Sequence, residues 1–320
     1  MKTGSAPPVA PLLVLGIGVL AISSGSILVR LAQGLEMPSL VIAAWRMILA
    51  ALILLPLALN RRRDELQQLP GSAWVLAVGS GFMLALHFAS WISSLAYTSV
   101  ASSTVLVTTS PLWVGLAAPF LLQEQLSHAV KWGIGLAIAG SILIALGDVV
   151  ALVEGQFRFS LTQFSSQPNP LLGNLLALIG ALAASAYLII GRLLRRSCSL
   201  LTYTAVVYTS AAVFLLLLAL AAGYDLLGYP ASAWLIMLLM ALFPQLAGHS
   251  SYNWALGYLS AASVSLAVIA EPIGATLLAL LLFHEVPSGL TLMGSAVLLS
   301  GIVYASRPEG KKLSKTRLKR

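Results

Sequence analysis

Ten stretches of this chain stay apolar for about twenty residues each. They lie at approximately 10–32, 38–59, 72–96, 101–122, 128–150, 171–194, 199–222, 232–256, 260–283 and 287–306. Wound as an α-helix, a run of that length matches the hydrocarbon thickness of a bilayer. Of the 320 residues, 59% are hydrophobic and 9% charged, whereas a soluble domain carries about 25% charged residues. The chain therefore lacks the polar groups to cover a water-facing surface. The expected fold class is an all-α integral membrane protein with about ten transmembrane helices. The first run follows Lys2, continues to about Leu31 and shows no small-residue cleavage site. It reads as the first span and not as a removed signal peptide.

The breaks between runs carry the signals expected of span boundaries. Pro38, Pro70-Gly71, Pro230 and Pro287 precede spans, and Arg61–Gln68 is too polar to enter lipid. One longer connection, 151–170, contains Ser165-Ser166-Gln167-Pro168-Asn169-Pro170. The net charge of +8 gathers in Arg61-Arg62-Arg63, in Arg192 with Arg195 and Arg196, and in the tail from Arg307 to Arg320. With ten spans and the N-terminus inside, fifteen of the eighteen Lys and Arg fall on the cytoplasmic side. That follows the positive-inside rule. No basic stripe runs along one element, so the charge argues against a nucleic-acid partner. The expected placement is a cell membrane, multi-pass, with both termini cytoplasmic. The basic tail reads as a topology anchor that can also dock on membrane lipid. The single cysteine, Cys198, excludes an internal disulfide framework and sits beside a basic loop, which fits a reducing compartment.

The sequence also repeats itself. Shifted by 161 residues, the stretch 90–140 overlays 251–301 without a gap. Leu95, Tyr97, Ser99, Ala101 and Ser102 fall on Leu256, Tyr258, Ser260, Ala262 and Ser263. Pro111 falls on Pro272, Glu124 on Glu285, Ser127 on Ser288, Gly133 on Gly294 and Gly140 on Gly301. Apolar composition aligns Leu with Leu, but it does not align Pro, Glu and two Gly at once. Each copy holds five spans, an odd number, so the copies insert with opposite orientations. Inverted repeats of this kind place a binding site near the midplane between the copies, and rocking one half against the other gives alternating access. The domain reading is a first repeat at 1–150, a connecting outer loop at 151–170, a second repeat at 171–306 and a basic cytoplasmic tail at 307–320.

The pattern Leu95-Ala96-Tyr97-Thr98-Ser99 … Ser110-Pro111-Leu112 … Glu124 … Gly133 … Gly140 resembles the EamA-type domain of the drug/metabolite transporter superfamily. Leu256-Gly257-Tyr258 … Glu271-Pro272 … Glu285 … Gly294 … Gly301 resembles it again, and Arg46 within Ala43-Ala44-Trp45-Arg46 matches an arginine common in the first repeat. The resemblance implies a ten-helix carrier of amino acids, metabolites or cationic drugs, with export as the direction. It leaves the individual substrate open.

Ionisable residues inside hydrocarbon cost about 2.5–3.5 kcal/mol or more, so each calls for an explanation. Glu271 lies roughly 16 Å into the ninth span, close to the midplane. A carboxyl group there can exchange a proton with the pathway or attract a cationic amine; its repeat mate is Ser110, so such a site is asymmetric. Arg46, in the second span, either holds a substrate carboxylate or clamps a neighbouring helix. His87 in the third span is a candidate for the route, and His249 in the eighth is a weaker one. Trp91, Tyr252 and Asn253 sit deep in spans three and eight, and with Tyr187 of span six they can form a pocket. Pro111 and Pro272 are expected to kink paired central helices at a gate, since proline frees a backbone carbonyl. Glu124 and Glu285 are expected to cap the next helix. Gly133, Gly140, Gly294 and Gly301 are expected to let helices pack closely.

The expected function is a secondary transporter of a small-molecule substrate, an amino acid or amphiphilic amine, with proton coupling through Glu271 as an option. The alternative is an uncoupled facilitator or channel-like permease. An intramembrane enzyme is disfavoured, because no Gly-x-Ser-Gly, His-Glu-x-x-His or phosphate-loop motif occurs. No Cys/His/carboxylate cluster has ligand spacing, so no metal or other cofactor is expected. Paired five-helix units can enclose one pathway in a monomer, so monomer and homodimer both remain open.

Overall fold

In a computed structural model, residues 11–122, 128–153, 156–159, 167–259, 264, 268 and 271–305 are described. Glu124 lies outside them. The first half comprises α1 (Pro11–Ser23), α2 (Gly25–Gln33), α3 (Ser39–Arg61), α4 (Arg63–Gln68), α5 (Gly71–Ser94), α6 (Val100–Val107), α7 (Ser110–Leu122) and α8 (His128–Val149). A short antiparallel hairpin follows, β1 (Val150–Val153) and β2 (Gln156–Phe159), with Val150 opposite Phe159 and Val153 opposite Gln156. The second half comprises α9 (Pro170–Leu194), α10 (Leu200–Ala221), α11 (Ala231–Met240), a π-helical segment (Ala241–His249), α12 (Ser250–Ala255), α13 (Glu271–Phe283) and α14 (Gly289–Ala305).

Seven helical stretches among the described residues are long and apolar enough to cross a bilayer: Leu13–Gln33, Ser39–Arg61, Gly71–Ser94, Val100–Ala117, Pro170–Leu194, Leu200–Ala221 and Ala231–Ala255. Lys131–Gly147, Glu271–Phe283 and Gly289–Tyr304 are shorter apolar helices. Leu20, Val75 and Leu281 keep 77%, 74% and 71% of their surface exposed. In water such side chains would drive aggregation, whereas in a bilayer they meet a solvent as apolar as themselves. The chain is a multi-pass membrane protein.

Local chemistry sets the helix starts. Pro38, Pro70 and Pro230 stand as the residues before α3, α5 and α11, and Pro170 opens α9, all positions where a missing N–H is harmless. Ser99 and Ser199 accept hydrogen bonds from the N–H groups of Ser102 and Thr202, capping α6 and α10. Ser288 accepts from the N–H of Thr291 and so caps α14. Glu285, expected to cap that next helix, instead turns to the other repeat. One carboxylate oxygen accepts from the N–H of Val100 at 3.0 Å and the other pairs with Arg30 at 3.0 Å.

The strongest packing joins the two halves. Helix α8 lies along α14 and α3 along α10, each helix against its own repeat mate. Helix α5 packs on α9, and its counterpart is the packing of α1 on the π segment and α12. This pattern is that of a pseudo-two-fold axis between the repeats. The four glycines fulfil their expected role at the α8–α14 crossing. A Cβ on Gly140 would meet the Gly294 carbonyl oxygen at 2.6 Å, and one on Gly294 would meet that of Gly140 at 2.6 Å. Gly301 faces Gly133 in the same way, with its Cβ position 3.0 Å from the Gly133 carbonyl oxygen. In lipid, close van der Waals packing of small residues replaces water exclusion as the force between helices.

Candidate functional site

A buried cavity lies where the two halves meet. It is lined by Ile22, Arg46, His87, Trp91, Val107, Ser110, Ala184, Tyr187, Leu188, His249, Tyr252, Val268 and Glu271. Three of the pairs are repeat mates at the offset of 161: Trp91 with Tyr252, Val107 with Val268, and Ser110 with Glu271. The cavity therefore straddles the pseudo-two-fold axis. Its volume is about 50 Å³, enough for a few waters by the ~10–15 Å³ that each requires.

Broken helices bring these residues together. Helix α6 ends at Val107, the chain turns through Thr108 and Thr109, and α7 starts again at Ser110 with Pro111 second. Thr108 and Thr109 direct their hydroxyls to the carbonyls of Val105 and Leu106, so the turn satisfies itself without water. Pro111 thus initiates a helix where a mid-helix bend was expected. Helix α13 is described from Glu271, with Pro272 next to it. In the eighth span, Pro244 sits inside the π segment. Proline cannot donate to the carbonyl one turn back, and a wider turn absorbs the mismatch; such π segments recur at functional sites. Here the segment projects Gln245 and His249 inward.

Arg46 is the central cation, with 1% of its surface exposed. Its Nε donates to Gln245 Oε1 at 2.9 Å, and its guanidinium carbon lies 4.1 Å above the Phe88 ring centroid and 5.9 Å from that of Trp91. Its Nη1 is buried and makes no hydrogen bond to the protein. Glu271, 5% exposed, faces the same cavity and attracts Arg46 electrostatically. Among the described residues the single ion pair is Arg30–Glu285, so Arg46 and Glu271 are opposed without touching.

The aromatic wall is equally underused. His87 is held by the Gly180 carbonyl oxygen at 3.0 Å and stacks parallel to Trp91 with ring centroids 6.0 Å apart. His249 packs edge-on against Phe88 at 5.1 Å. The Trp91 indole N–H, His249 Nδ1 and the Tyr252 hydroxyl are buried, and none of them makes a hydrogen bond within the protein. An unpaired buried polar group costs about 1–3 kcal/mol. Four on one cavity wall, counting Arg46 Nη1, suit a polar ligand that completes them.

Below this wall runs a continuous polar chain. Tyr187 donates to Asn253 Oδ1 at 2.5 Å, Asn253 Nδ2 donates to the Tyr208 hydroxyl at 3.1 Å, and Tyr208 shares a hydrogen bond with Ser250 at 3.2 Å. Asn253 therefore does not line the cavity but supports Tyr187, which does. The chain continues toward the basic end of the molecule, where Arg195 donates to the Asn253 carbonyl at 3.0 Å. The other sequence candidates, Arg46, His87, Trp91, Ser110, Tyr187, Tyr252 and Glu271, all reach the cavity wall. Gln245 and Tyr208 did not stand out in the sequence. Both are polar where their repeat mates are apolar: Gln245 corresponds to Leu84 and Tyr208 to Met47. Comparing the two copies for lost symmetry, and not only for retained symmetry, is the signal that finds them.

Comparison with known proteins fits this architecture. A family model described as the EamA-like transporter family matches residues 10–146 and again 171–307. Two Bacillus subtilis (strain 168) proteins are similar to the chain. One is named uncharacterized transporter YdfC, 20% identical over 64% of this chain and 62% of its own length. The other is named uncharacterized transporter YetK, 24% identical over 70% of this chain and 65% of its own length. The chain thus spans a little under two thirds of these relatives. A solved crystal structure shares the fold with a TM-score of 0.59 at 22% identity, covering 92% of this chain and 96% of the other. With its model matched twice, once across each half of the bundle, the chain belongs to the EamA-like transporter family.

Proposed function

We propose that the protein is a secondary transporter that moves a small zwitterionic metabolite, an amino acid or a close amphiphilic relative, across the membrane by alternating access. The observation that carries this reading is the opposition of Arg46 and Glu271 across one buried cavity, with Arg46 Nη1 unpartnered. A carboxylate takes the free guanidinium N–H, an ammonium takes Glu271, and the ring faces of Trp91, His87 and Tyr252 receive the carbon skeleton. A ligand of either charge alone leaves one buried ion uncompensated, which costs several kcal/mol.

Export from a cytoplasmic side marked by Arg61–Arg63, Arg192 and Arg195–Arg196 is the direction proposed, with both termini on that side. Glu271 is the proposed proton site, its carboxyl group taking up a proton when the substrate's ammonium leaves. The half-molecules rock about the α8–α14 and α3–α10 contacts. At the end opposite the basic clusters, the Arg30–Glu285 pair ties α2 to the turn before α14 and to the start of α6, and its breakage opens that side.

The test is uptake of labelled amino acids and of a cationic dye into proteoliposomes, with and without a pH gradient, for wild type beside Glu271→Gln. Gradient-driven uptake that Glu271→Gln abolishes while substrate exchange persists is the expected result. Flux indifferent to the gradient in both proteins would remove the proton role and leave a facilitator.

A further inference from the structure

A second site lies at the basic end, on the lipid-facing flank of the bundle. A groove of about 710 Å³ runs between the end of α3, the start of α10 and the π segment. It is lined by Arg61 and Arg62 at one end, by Leu54, Leu200, Leu201 and Leu246 along its length, and by Thr204 and Ser250. The guanidinium groups are exposed and the leucines are half-buried or better. Because this face of a multi-pass protein meets lipid, acyl chains fill its apolar length. The pair of cations at the head-group level then selects which lipid. Glu65 accepts from the N–H of Ser199, a residue of the groove lining, and attracts Arg62, so one carboxylate stands beside the two guanidinium groups and the cation end keeps a net positive charge.

We infer that this groove is a binding site for an anionic phospholipid, with the phosphodiester held by Arg61 and Arg62 and one acyl chain laid along Leu54, Leu200, Leu201 and Leu246. Basic pockets between helices at a membrane boundary recognise acidic head groups in this way. The commitment is to a lipid and not to a free anion, because the apolar length is several times larger than a phosphate needs.

The groove backs directly on the central cavity. Leu246 and Ser250 face the lipid groove, while Gln245 and His249, their immediate neighbours in the chain, face the cavity side. Ser250 also shares its hydrogen bond with Tyr208, one step from Asn253 and Tyr187. A lipid in the groove therefore supports the π segment from behind and holds Gln245 against Arg46. This dependence of transport on lipid rests on the function proposed above, whereas the binding itself does not.

The test is native mass spectrometry of the full-length protein released from bilayers of mixed phosphatidylglycerol and phosphatidylcholine with identical chains. The expected result is preferential retention of phosphatidylglycerol, weakened roughly tenfold or more in Arg61→Gln/Arg62→Gln. Lys131→Gln/Arg196→Gln removes the same charge from exposed positions away from the groove and is expected to retain the lipid as wild type does. Equal retention of both lipids by wild type, or an equal loss in both double variants, would overturn the site. So would displacement of the lipid by inorganic phosphate alone, which would identify a soluble-anion site. Flux is then read in vesicles with and without phosphatidylglycerol. A dependence present in wild type and missing in Arg61→Gln/Arg62→Gln supports the link to the π segment, while retention without that dependence leaves a lipid site that does not act on transport.

Discussion

Arg46 carries one hydrogen bond to Gln245, one ring face against Phe88 and a buried Nη1 that makes no hydrogen bond to the protein. A planar guanidinium can do all three at once, which a lysine cannot. Arg46→Lys is therefore expected to resemble Arg46→Gln, each weakening substrate binding by about 30-fold or more, as removal of one partner of a buried charged hydrogen bond does. Equilibrium binding to the detergent-solubilised protein measures this. Gln245→Leu, which restores the residue of the repeat mate, is expected to weaken the same binding while leaving Arg46 in place. Both charges were legible in the sequence, because an ion inside an apolar run stands out. Gln245 was not, since a neutral amide amid leucines resembles ordinary helix filling until the fold puts it beside an arginine 199 positions away. At the basic end, burial pushes the Cys198 thiol up to about 11 even though Arg195 lies close by. Its thiolate, the reactive form, is then scarce at neutral pH. Maleimide labelling of Cys198 is expected to be slow at pH 7 and to accelerate steadily as pH rises.

Elements show a different division between what composition dictates and what packing decides. Hydropathy marks where spans lie, because length and apolarity are all that a bilayer requires. It does not report whether a turn is closed by four residues or five, so the π segment around Pro244 is visible only in the fold. Pro244→Ala returns the missing N–H and favours a regular helix, which would rotate Gln245 and His249 away from their places. The expected outcome is an unchanged or higher unfolding temperature with reduced transport. The close-packing role of the glycines was legible from their repeat spacing, and it gives a matched pair of variants. Gly140→Val places atoms against the Gly294 carbonyl and is expected to lose about 1–3 kcal/mol of stability. Gly135→Val, on the same helix with nothing within 4 Å of its Cβ position, is expected to be neutral. Denaturant titration in detergent compares them. Glu285 marks the limit of local reasoning: its carboxylate does serve a helix start, but that of α6 in the opposite repeat, a contact that only the pseudo-two-fold arrangement creates.

Across the whole molecule, two related halves build a site that is symmetric in position and asymmetric in chemistry. On the cavity wall Trp91 is matched by Tyr252 and Val107 by Val268, while Ser110 is matched by Glu271, and Arg46 has only Val207 as its repeat mate. Duplication supplied the cavity, and divergence of a few positions supplied the opposed charges. The position of the cavity was legible from the repeat, because inverted copies meet at the midplane. Its small volume was not, since that depends on how far the aromatic wall closes in. The measurement that tests the zwitterion site most directly is competition of labelled amino-acid uptake in proteoliposomes by two half-analogues, one lacking the carboxylate and one lacking the amine. The unlabelled zwitterion should compete best in wild type, Arg46→Gln should lose its preference for the carboxylate-bearing competitor, and Glu271→Gln its preference for the amine-bearing one. Uptake and competition unchanged in both variants would contradict the account.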